Sequence, residues 1–352
     1  MNLCRAVQTP SSLAELLRSL PAPAELLARW ETLRPALRDD LWTQAKREGV
    51  QLWLAHGLLS GGLSGPRASE GARLLAQARV LHHQRRVAMG EALTALGALE
   101  ALSLKGPALA ERIYPEPHLR PAADLDLLVR PGDMDAAIAA LAGAGYDVLG
   151  DPAHQRYARA RLHHLQLGRP GGPLIELHFQ PFAGCGVSLP AEALLARASE
   201  DARGALCPDP VDELAYLALH AAGHQLERLI WLLDLQLYVS RPGAPTPYEA
   251  LIRAEEWGAA APVACALLGL HRRLGGPPPP VGWRARVGLW AAGRAASLEH
   301  GPRWQLAQLA AQAVLAPDAA AATRFLAQHL GRITRRRLRG LAPGATPEDW
   351  GG

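Results

Sequence analysis

Two short segments in which acidic and apolar residues alternate constrain the fold of this chain most strongly. Residues 124–129 read Asp-Leu-Asp-Leu-Leu-Val, and residues 174–179 read Leu-Ile-Glu-Leu-His-Phe. Because successive side chains of a β-strand point to opposite faces, this alternation predicts two strands, each with an acidic face and an apolar face. The apolar faces must be buried, so we expect both strands in a small sheet that is covered by helices.

The surrounding sequence is mostly helical in pattern. Apolar residues recur at helical spacing through the first hundred residues and again after Pro190, whereas residues 99–182 hold short apolar runs separated by turns. This order predicts an α+β fold whose small mixed β-sheet core is flanked by helical modules. The predicted parts are an N-terminal helical module (1–98), the α+β core (99–189), a C-terminal helical module (190–330) and a basic tail (331–352).

Composition excludes several classes of protein. With 49% hydrophobic and 20% charged residues, the chain is neither disordered nor fibrous. Its net charge of +4 depends on five arginines, and without them the formal charge falls to −1. These are Arg332, Arg335, Arg336, Arg337 and Arg339. They indicate either a solvated helix end or tail, or a patch for phosphates or an acidic partner. Without interleaved aromatic residues, a nucleic-acid partner is not expected.

Cysteine usage points to a reducing compartment, and the length of the apolar runs points to a soluble protein. The four cysteines are scattered and form no CxxC pair, which favours free thiols over a disulfide framework or a zinc site. The first residues lack the pattern of a signal peptide. The longest apolar run, 257–270, is too short to span a bilayer and contains Gly258 and Pro262. We therefore predict a soluble, cytoplasmic protein without a membrane partner.

One of the two lysines stands at a predicted strand end. Of 37 basic residues only Lys46 and Lys105 are lysine. Lys105 and Gly106 follow the apolar run 102–104, and Pro107 suits the first turn of a helix. Gly106 would let the backbone approach a ligand closely, and a helix N-terminus favours anions. The same pattern is also typical of a purely structural turn.

The acidic faces of the two strands suggest a cation site. Asp124 and Asp126 share a strand face and lie about 7 Å apart along it. If the second strand is a neighbour, Glu176 completes a three-carboxylate cluster. Hard oxygen ligands suit Mg²⁺, and such a cluster can hold two ions. For the two aspartates alone, a solvated edge strand is an equally good interpretation.

The order of these motifs resembles a known family. The strings LKGPALAERIYPEPHLRPAADLDLLV, GYDVL, HHLQL, IELHF and ELAYLALHAAGHQLERLIWLLDLQLYV occur in this order. Together they resemble the uncharacterised nucleotidyltransferase family of bacteria, a divergent branch of the DNA polymerase β-like nucleotidyltransferase superfamily. The resemblance covers roughly 100–240 well. It is fairly specific for the family and much less so for a substrate.

The resemblance implies roles for individual residues. Asp124, Asp126 and Glu176 would be the catalytic metal ligands, with two Mg²⁺ ions and a nucleoside triphosphate (NTP) as cofactors. Lys105 and Gly106 take the place of a Gly-Ser turn that binds the triphosphate in the wider superfamily. The serine is missing here, and an ammonium would replace its hydroxyl.

Several polar residues near these motifs keep two interpretations each. Arg120 fits the family's arginine and would touch phosphate, or else form a structural salt bridge. His178 shares the acidic face of its strand and would either bind the cofactor or play no part in the site. His163 and His164 are expected to alternate across a strand, so that only one faces the cleft.

A downstream helix adds a further group. His220 and His224 lie four residues apart on one predicted helical face, with Glu213 on the same face. Either they form a metal site with Asp234, or they orient helices or line the pocket, and the lack of a CxxC or HExxH pattern favours the second interpretation. Trp231 is interpreted as a core residue rather than a stacking surface for a base.

The leading hypothesis is Mg²⁺-dependent nucleotidyl transfer. An acceptor oxygen would attack the α-phosphate of an NTP while Lys105 and the Gly106 turn hold the β- and γ-phosphates. Glu176 or the metal would accept the proton. A peptide or a small molecule is the expected acceptor, and the oligomeric state stays open. The alternatives are a metal-dependent phosphohydrolase and a non-catalytic binding or maturation protein on the same fold.

Overall fold

The chain was analysed as a computed structural model, which describes residues 12–18, 22–200, 206–296 and 302–338. The N-terminal helices α1–α5 are Leu13–Leu17, Pro23–Glu31, Pro35–Arg47, Gln51–Ser60 and Pro66–Leu96. The elements around the main sheet are β1 Leu102–Ser103, α6 Pro107–Ile113, β2 Asp124–Leu128, α7 Met134–Gly143, β3 Asp147–Val148, α8 Pro152–Arg161, β4 His164–Gly168 and β5 Leu174–His178.

Two small hairpins and the C-terminal helices complete the described fold. The hairpin region comprises β6 Phe182–Gly184, β7 Val187–Leu189, α9 Glu192–Leu195, β8 Ser199–Glu200 and β9 Leu206–Cys207. The C-terminal helices α10–α16 are Pro210–Gly223, Leu229–Val239, Pro247–Glu256, Ala260–Leu274, Trp283–Ala296, Pro302–Val314 and Ala319–Leu338.

The main sheet is mixed, as predicted. Its strand order is β1-β2-β5-β4-β3, and only β2 and β5 pair in parallel. In this pair Asp126 lies opposite Glu176, so the two strands with alternating sequences are direct neighbours. With helices on both sides in sequence, the architecture confirms the predicted α+β fold.

The apolar face of the sheet is covered by two helices. Leu125 and Leu127 of β2 and Ile175 and Leu177 of β5 are fully buried. They form one cluster with residues of α5 and α7, including Met89. Burying each such side chain stabilises the fold by about 1.5–3 kcal/mol. The burial fixes the register, because a shift by one residue would turn the acidic side chains into this cluster.

Most other helices share a second apolar cluster. It includes Trp30 and Leu54 from the first helices and Leu217, Leu232 and Leu267 from the C-terminal ones. Residues of both predicted helical modules thus pack into one core, and the division into separate domains stays a prediction.

The hairpin β6–β7 was not predicted from the sequence. Its two turn residues, Cys185 and Gly186, have φ angles of 51° and 71°, which is typical of a tight hairpin turn. A Cβ at Gly186 would lie 2.7 Å from the Cβ of Ala316, so the turn packs closely against Ala316, which precedes α16. Glycine is therefore required here for both its φ angle and its size.

Two predictions from composition fall partly outside the described residues. Arg332, Arg335, Arg336 and Arg337 belong to α16 by their backbone, whereas Arg339 lies outside the described residues. Cys4 also lies outside them. Within the described part of the chain, no helix is long and apolar enough to cross a membrane.

Candidate active site

The polar face of the sheet is centred on Asp126, whose side chain is fully buried. Its Oδ1 accepts hydrogen bonds from the Lys105 ammonium and lies 3.1 Å from Nε2 of His178. These two partners hold the pKa of Asp126 far below its usual range, although burial alone would raise it. The second oxygen, Oδ2, is buried without a hydrogen-bond partner among the described residues.

Glu176 lies beside Asp126 on the neighbouring strand. Its Oε2 is 3.6 Å from Nε2 of His178, and its Oε1 is 3.7 Å from Nε2 of His164. Gln166 also donates to Oε1 at 3.4 Å. Burial would raise the pKa of Glu176, but these imidazoles lower it to about 2. The carboxylate is therefore ionised at neutral pH.

Asp124 lines the same cavity two residues before Asp126 on β2, but it lies outside the closest group of ligand atoms. The ligand atoms of Asp126, Glu176 and His178 fall within 4.8 Å of one another, and Asp124 is not among them. Burial and the nearby charge of Asp126 raise the pKa of Asp124. The three predicted carboxylates thus share one cavity, with Asp126 and Glu176 as the close pair.

Lys105 reaches the carboxylates from the end of β1. Burial would lower the pKa of this ammonium, but Asp126, Asp124 and Glu176 outweigh burial and raise it. Gly106 does not line the cavity. Its φ of 71° turns the chain from Lys105 into α6, and its role in binding a ligand stays a prediction.

Arg120 forms a buried salt bridge with Asp234, which confirms the second of its two interpretations. Its Nε and Nη2 donate to the two carboxylate oxygens of Asp234, each at 2.9 Å, and Tyr114 donates to Oδ1 at 2.7 Å. All three side chains are buried. Arg120 still borders the cavity, but this pairing ties the segment before β2 to α11. It makes Asp234 a partner of Arg120 rather than of the histidines.

The prediction that only one of His163 and His164 faces the cleft is wrong. Both line the cavity, and their ring centroids are 4.7 Å apart. The reason is that β4 begins at His164 while His163 lies in the bend before it, where strand alternation does not apply. Burial lowers the pKa of His163 to about 3 and that of His164 to about 4.

Aromatic and imidazole rings line another side of the cavity. Trp231 is partly exposed there and stacks on His224, with ring centroids 4.6 Å apart and an interplanar angle of 28°. Its ring also meets His220 edge-on at 5.8 Å. The two histidines line the pocket as predicted, whereas Glu213 binds Arg112 instead. Trp231 lines the cavity as well as packing against the core, contrary to its interpretation as a core residue alone.

Two adjoining cavities meet at this site. The carboxylate cavity has a volume of about 470 Å³, and the other has a volume of about 640 Å³. They share lining residues His163, Ala183, Gly184 and His329. The larger cavity lies between α8, the hairpin β6–β7 and α16, and it is lined by Arg159 and Arg324 but by no acidic residue among those described.

The donor set at the sheet fits a divalent cation. A fully buried carboxylate oxygen without a partner is costly, so the Oδ2 atom of Asp126 calls for a cation or another donor. Glu176 and His178 place further ligand atoms within 4.8 Å. Carboxylate oxygens suit Mg²⁺, while the imidazole also admits ions such as Mn²⁺.

Comparison with known proteins adds a family to this geometry. No curated protein and no solved structure matches the chain. Residues 35–275, however, match a family described as uncharacterised nucleotidyltransferase. The match contains the whole main sheet, Lys105, the three carboxylates and Trp231, and it ends before α16. Because it covers more than half of the chain, the chain belongs to this uncharacterised nucleotidyltransferase family.

Proposed function

We propose that the protein is a Mg²⁺-dependent nucleotidyltransferase that moves a nucleoside monophosphate group from an NTP to a small-molecule or peptide acceptor. The observation that carries the proposal is the parallel pairing of β2 with β5. This pairing sets Asp126 opposite Glu176 in a cavity that Lys105 also enters. The family membership supports the same class of reaction.

In the proposed reaction an acceptor hydroxyl attacks the α-phosphorus, the bond from that phosphorus to the bridging oxygen breaks, pyrophosphate leaves, and the hydroxyl proton passes to solvent water. Mg²⁺ bound by Asp124, Asp126 and Glu176 would offset the charge that develops on the phosphates. Glu176 serves as a ligand in this scheme, because a carboxylate with a pKa of about 2 is a weak base. Lys105 lies beside the same carboxylates and would bind the β- and γ-phosphates.

The larger cavity is the proposed acceptor site. It joins the carboxylate cavity at His163 and His329, so an acceptor held there can reach the α-phosphate. Its volume of about 640 Å³ suits a small molecule or the end of a peptide. The Arg159 guanidinium is paired with Asp135, whereas Arg324 lines this cavity and favours an acceptor that carries a carboxylate or phosphate.

The function is tested by incubating the protein with each of the four NTPs, Mg²⁺ and cell extract, followed by mass spectrometry. We expect one or more NTPs to yield an acceptor whose mass has increased by a nucleoside monophosphate, and the product to disappear without Mg²⁺. Hydrolysis of the NTP without any adduct would replace the proposal with a phosphohydrolase. Absence of both turnover and NTP binding would indicate a non-catalytic protein.

Lys105→Arg is expected to lower the rate of transfer by about 100-fold, because a displacement of about 1 Å at reacting groups can have this effect. The ammonium fits between the carboxylates with only 13% of its side chain exposed, and the larger guanidinium would move them. The measurement is the initial rate of pyrophosphate release. Lys46→Arg, which replaces the other lysine, is the matched control. Equal rates in all three proteins would show that a compact ammonium is not needed.

Trp231→Leu is expected to weaken NTP binding by about 1–3 kcal/mol, which is the usual contribution of one base stacked on an aromatic ring. We expect the nucleobase to stack beside the Trp231–His224 pair. Isothermal titration calorimetry with the preferred NTP measures this change. Trp257→Leu removes a partly buried tryptophan outside the cavity and should leave the affinity as it was. A similar loss in both variants would argue against stacking.

Arg324→Ala is expected to reduce the yield of nucleotide-modified acceptor about tenfold, since a hydrogen bond to a charged group contributes about 1.5–3 kcal/mol. Its side chain is exposed on α16 and lines only the larger cavity. Binding of the NTP, measured by calorimetry, should not change. A parallel loss of NTP binding would mean that the larger cavity does not serve the acceptor separately.

A further inference from the structure

Three imidazoles converge where the two cavities meet. The β4–β5 register places His164 opposite His178, and the bend before β4 brings His163 to the same side. One ring nitrogen of each histidine lies within 4.8 Å of the others, and the ring centroids are 4.7–5.4 Å apart. His163 lines both cavities. This cluster overlaps the carboxylate group only at His178.

Two of these rings carry buried nitrogens without partners. Nδ1 of His164 and Nδ1 of His178 are buried and make no hydrogen bond to any described residue, and His178 as a whole is only 3% exposed. Buried polar atoms are nearly always paired, because an unpaired one costs about 1–3 kcal/mol. Nε2 of His178 faces Asp126 and Nε2 of His164 faces Glu176, so in the neutral rings Nδ1 carries the lone pair, and a ligand that accepts nitrogen lone pairs would satisfy both atoms.

The spacing suits a borderline transition-metal ion better than Mg²⁺. Three imidazoles at bond lengths of about 2.0–2.1 Å around a tetrahedral ion have nitrogens about 3.3 Å apart, so binding would require the ring nitrogens, now within 4.8 Å of one another, to move closer by side-chain rotation. Mg²⁺ prefers oxygen ligands, whereas imidazole suits Zn²⁺, Co²⁺ and Ni²⁺. Three protein ligands leave a fourth position open toward the junction of the cavities.

We propose that His163, His164 and His178 form a second cation site, specific for a Zn²⁺-like divalent ion, which adjoins the carboxylate site and shares only His178 with it. The open fourth position would accept an oxygen of a molecule in the larger cavity. The proposal concerns binding of the ion and does not depend on nucleotidyl transfer.

The test is a titration of the untagged, metal-free full-length protein with Co²⁺, followed by visible absorption. Nitrogen-bound Co²⁺ of low coordination number absorbs far more strongly than the hydrated ion. We expect these bands to saturate at one equivalent, to be removed by Zn²⁺ and to persist in excess Mg²⁺. His163→Ala and His164→Ala are each expected to lose them.

Two variants serve as controls. His224→Ala removes an imidazole of the same cavity that lies outside the cluster, and Asp124→Asn changes the carboxylate site, so both should retain the bands. Thermal unfolding of each variant shows whether it is folded. The proposal is overturned if no bands form, if Mg²⁺ removes them, or if folded His163→Ala and His164→Ala proteins keep them. A protein that binds Co²⁺ but transfers no nucleotide would retain this site and lose the proposed function.

Discussion

Asp126→Asn is expected to lower the rate of nucleotidyl transfer by about 10³-fold or more, which corresponds to about 4 kcal/mol of lost transition-state stabilisation. Asp126 is fully buried between Lys105 and His178, its Oδ2 has no partner among the described residues, and one of its carboxylate oxygens belongs to the group of ligand atoms that fits a cation. An amide has nearly the same shape but lacks the charge. The measurement is the initial rate of pyrophosphate release at saturating NTP.

Two controls separate chemistry from folding. Asp40→Asn neutralises an exposed carboxylate on α3 and should keep full activity. The double variant Lys105→Met/Asp126→Asn has no unpaired ammonium in the site, so it should regain any stability lost in the single variant but no activity. A single variant that transfers nucleotide within tenfold of the native rate would rule out Asp126 as an essential ligand.

Asp234→Ala is expected to lower the free energy of unfolding by about 3–5 kcal/mol, the usual effect of removing one partner of a buried ion pair. It leaves the Arg120 guanidinium buried without its two 2.9 Å hydrogen bonds and deprives Tyr114 of its acceptor. The loss follows from an uncompensated buried charge, not from the strength of the pair itself. Urea denaturation measures it.

The matched control is again on the surface. Asp135→Ala breaks the ion pair with Arg159, in which the two side chains are 86% and 42% exposed, and should cost less than about 1 kcal/mol. Similar losses in the two variants would contradict the structural role of Asp234. If Arg120 also contacts phosphate, the Asp234→Ala protein should lose NTP affinity as well.

The sequence was sufficient to predict β2 and β5 and the two faces of each strand. The alternation at 124–129 and 174–179 predicted which side chains would be buried, because one face of a sheet must pack on helices. That β2 and β5 are neighbours had to be assumed, because alternation does not specify the neighbour of a strand. Asp126 and Glu176 are 50 positions apart, and the tertiary fold brings them together.

Other features had weak or misleading signals. The His163–His164 pair was assigned strand alternation although β4 starts at the second residue. The partner of Arg120 lies 114 positions away, and nothing local indicates it. One local signal indicates the role of Trp231 in the cavity. Asp234, three residues later, is the one charged residue of α11 and marks the face that turns toward the site.

The contact between Lys105 and Asp126 has a consequence for how the protein matures. The lysine, together with His178, already balances charge on the most deeply buried carboxylate, so the polypeptide can assemble this site before any cation arrives. Small zinc domains differ, because they remain unfolded until metal binds. If the site binds the proposed ion, its acquisition can follow synthesis and folding as a separate event.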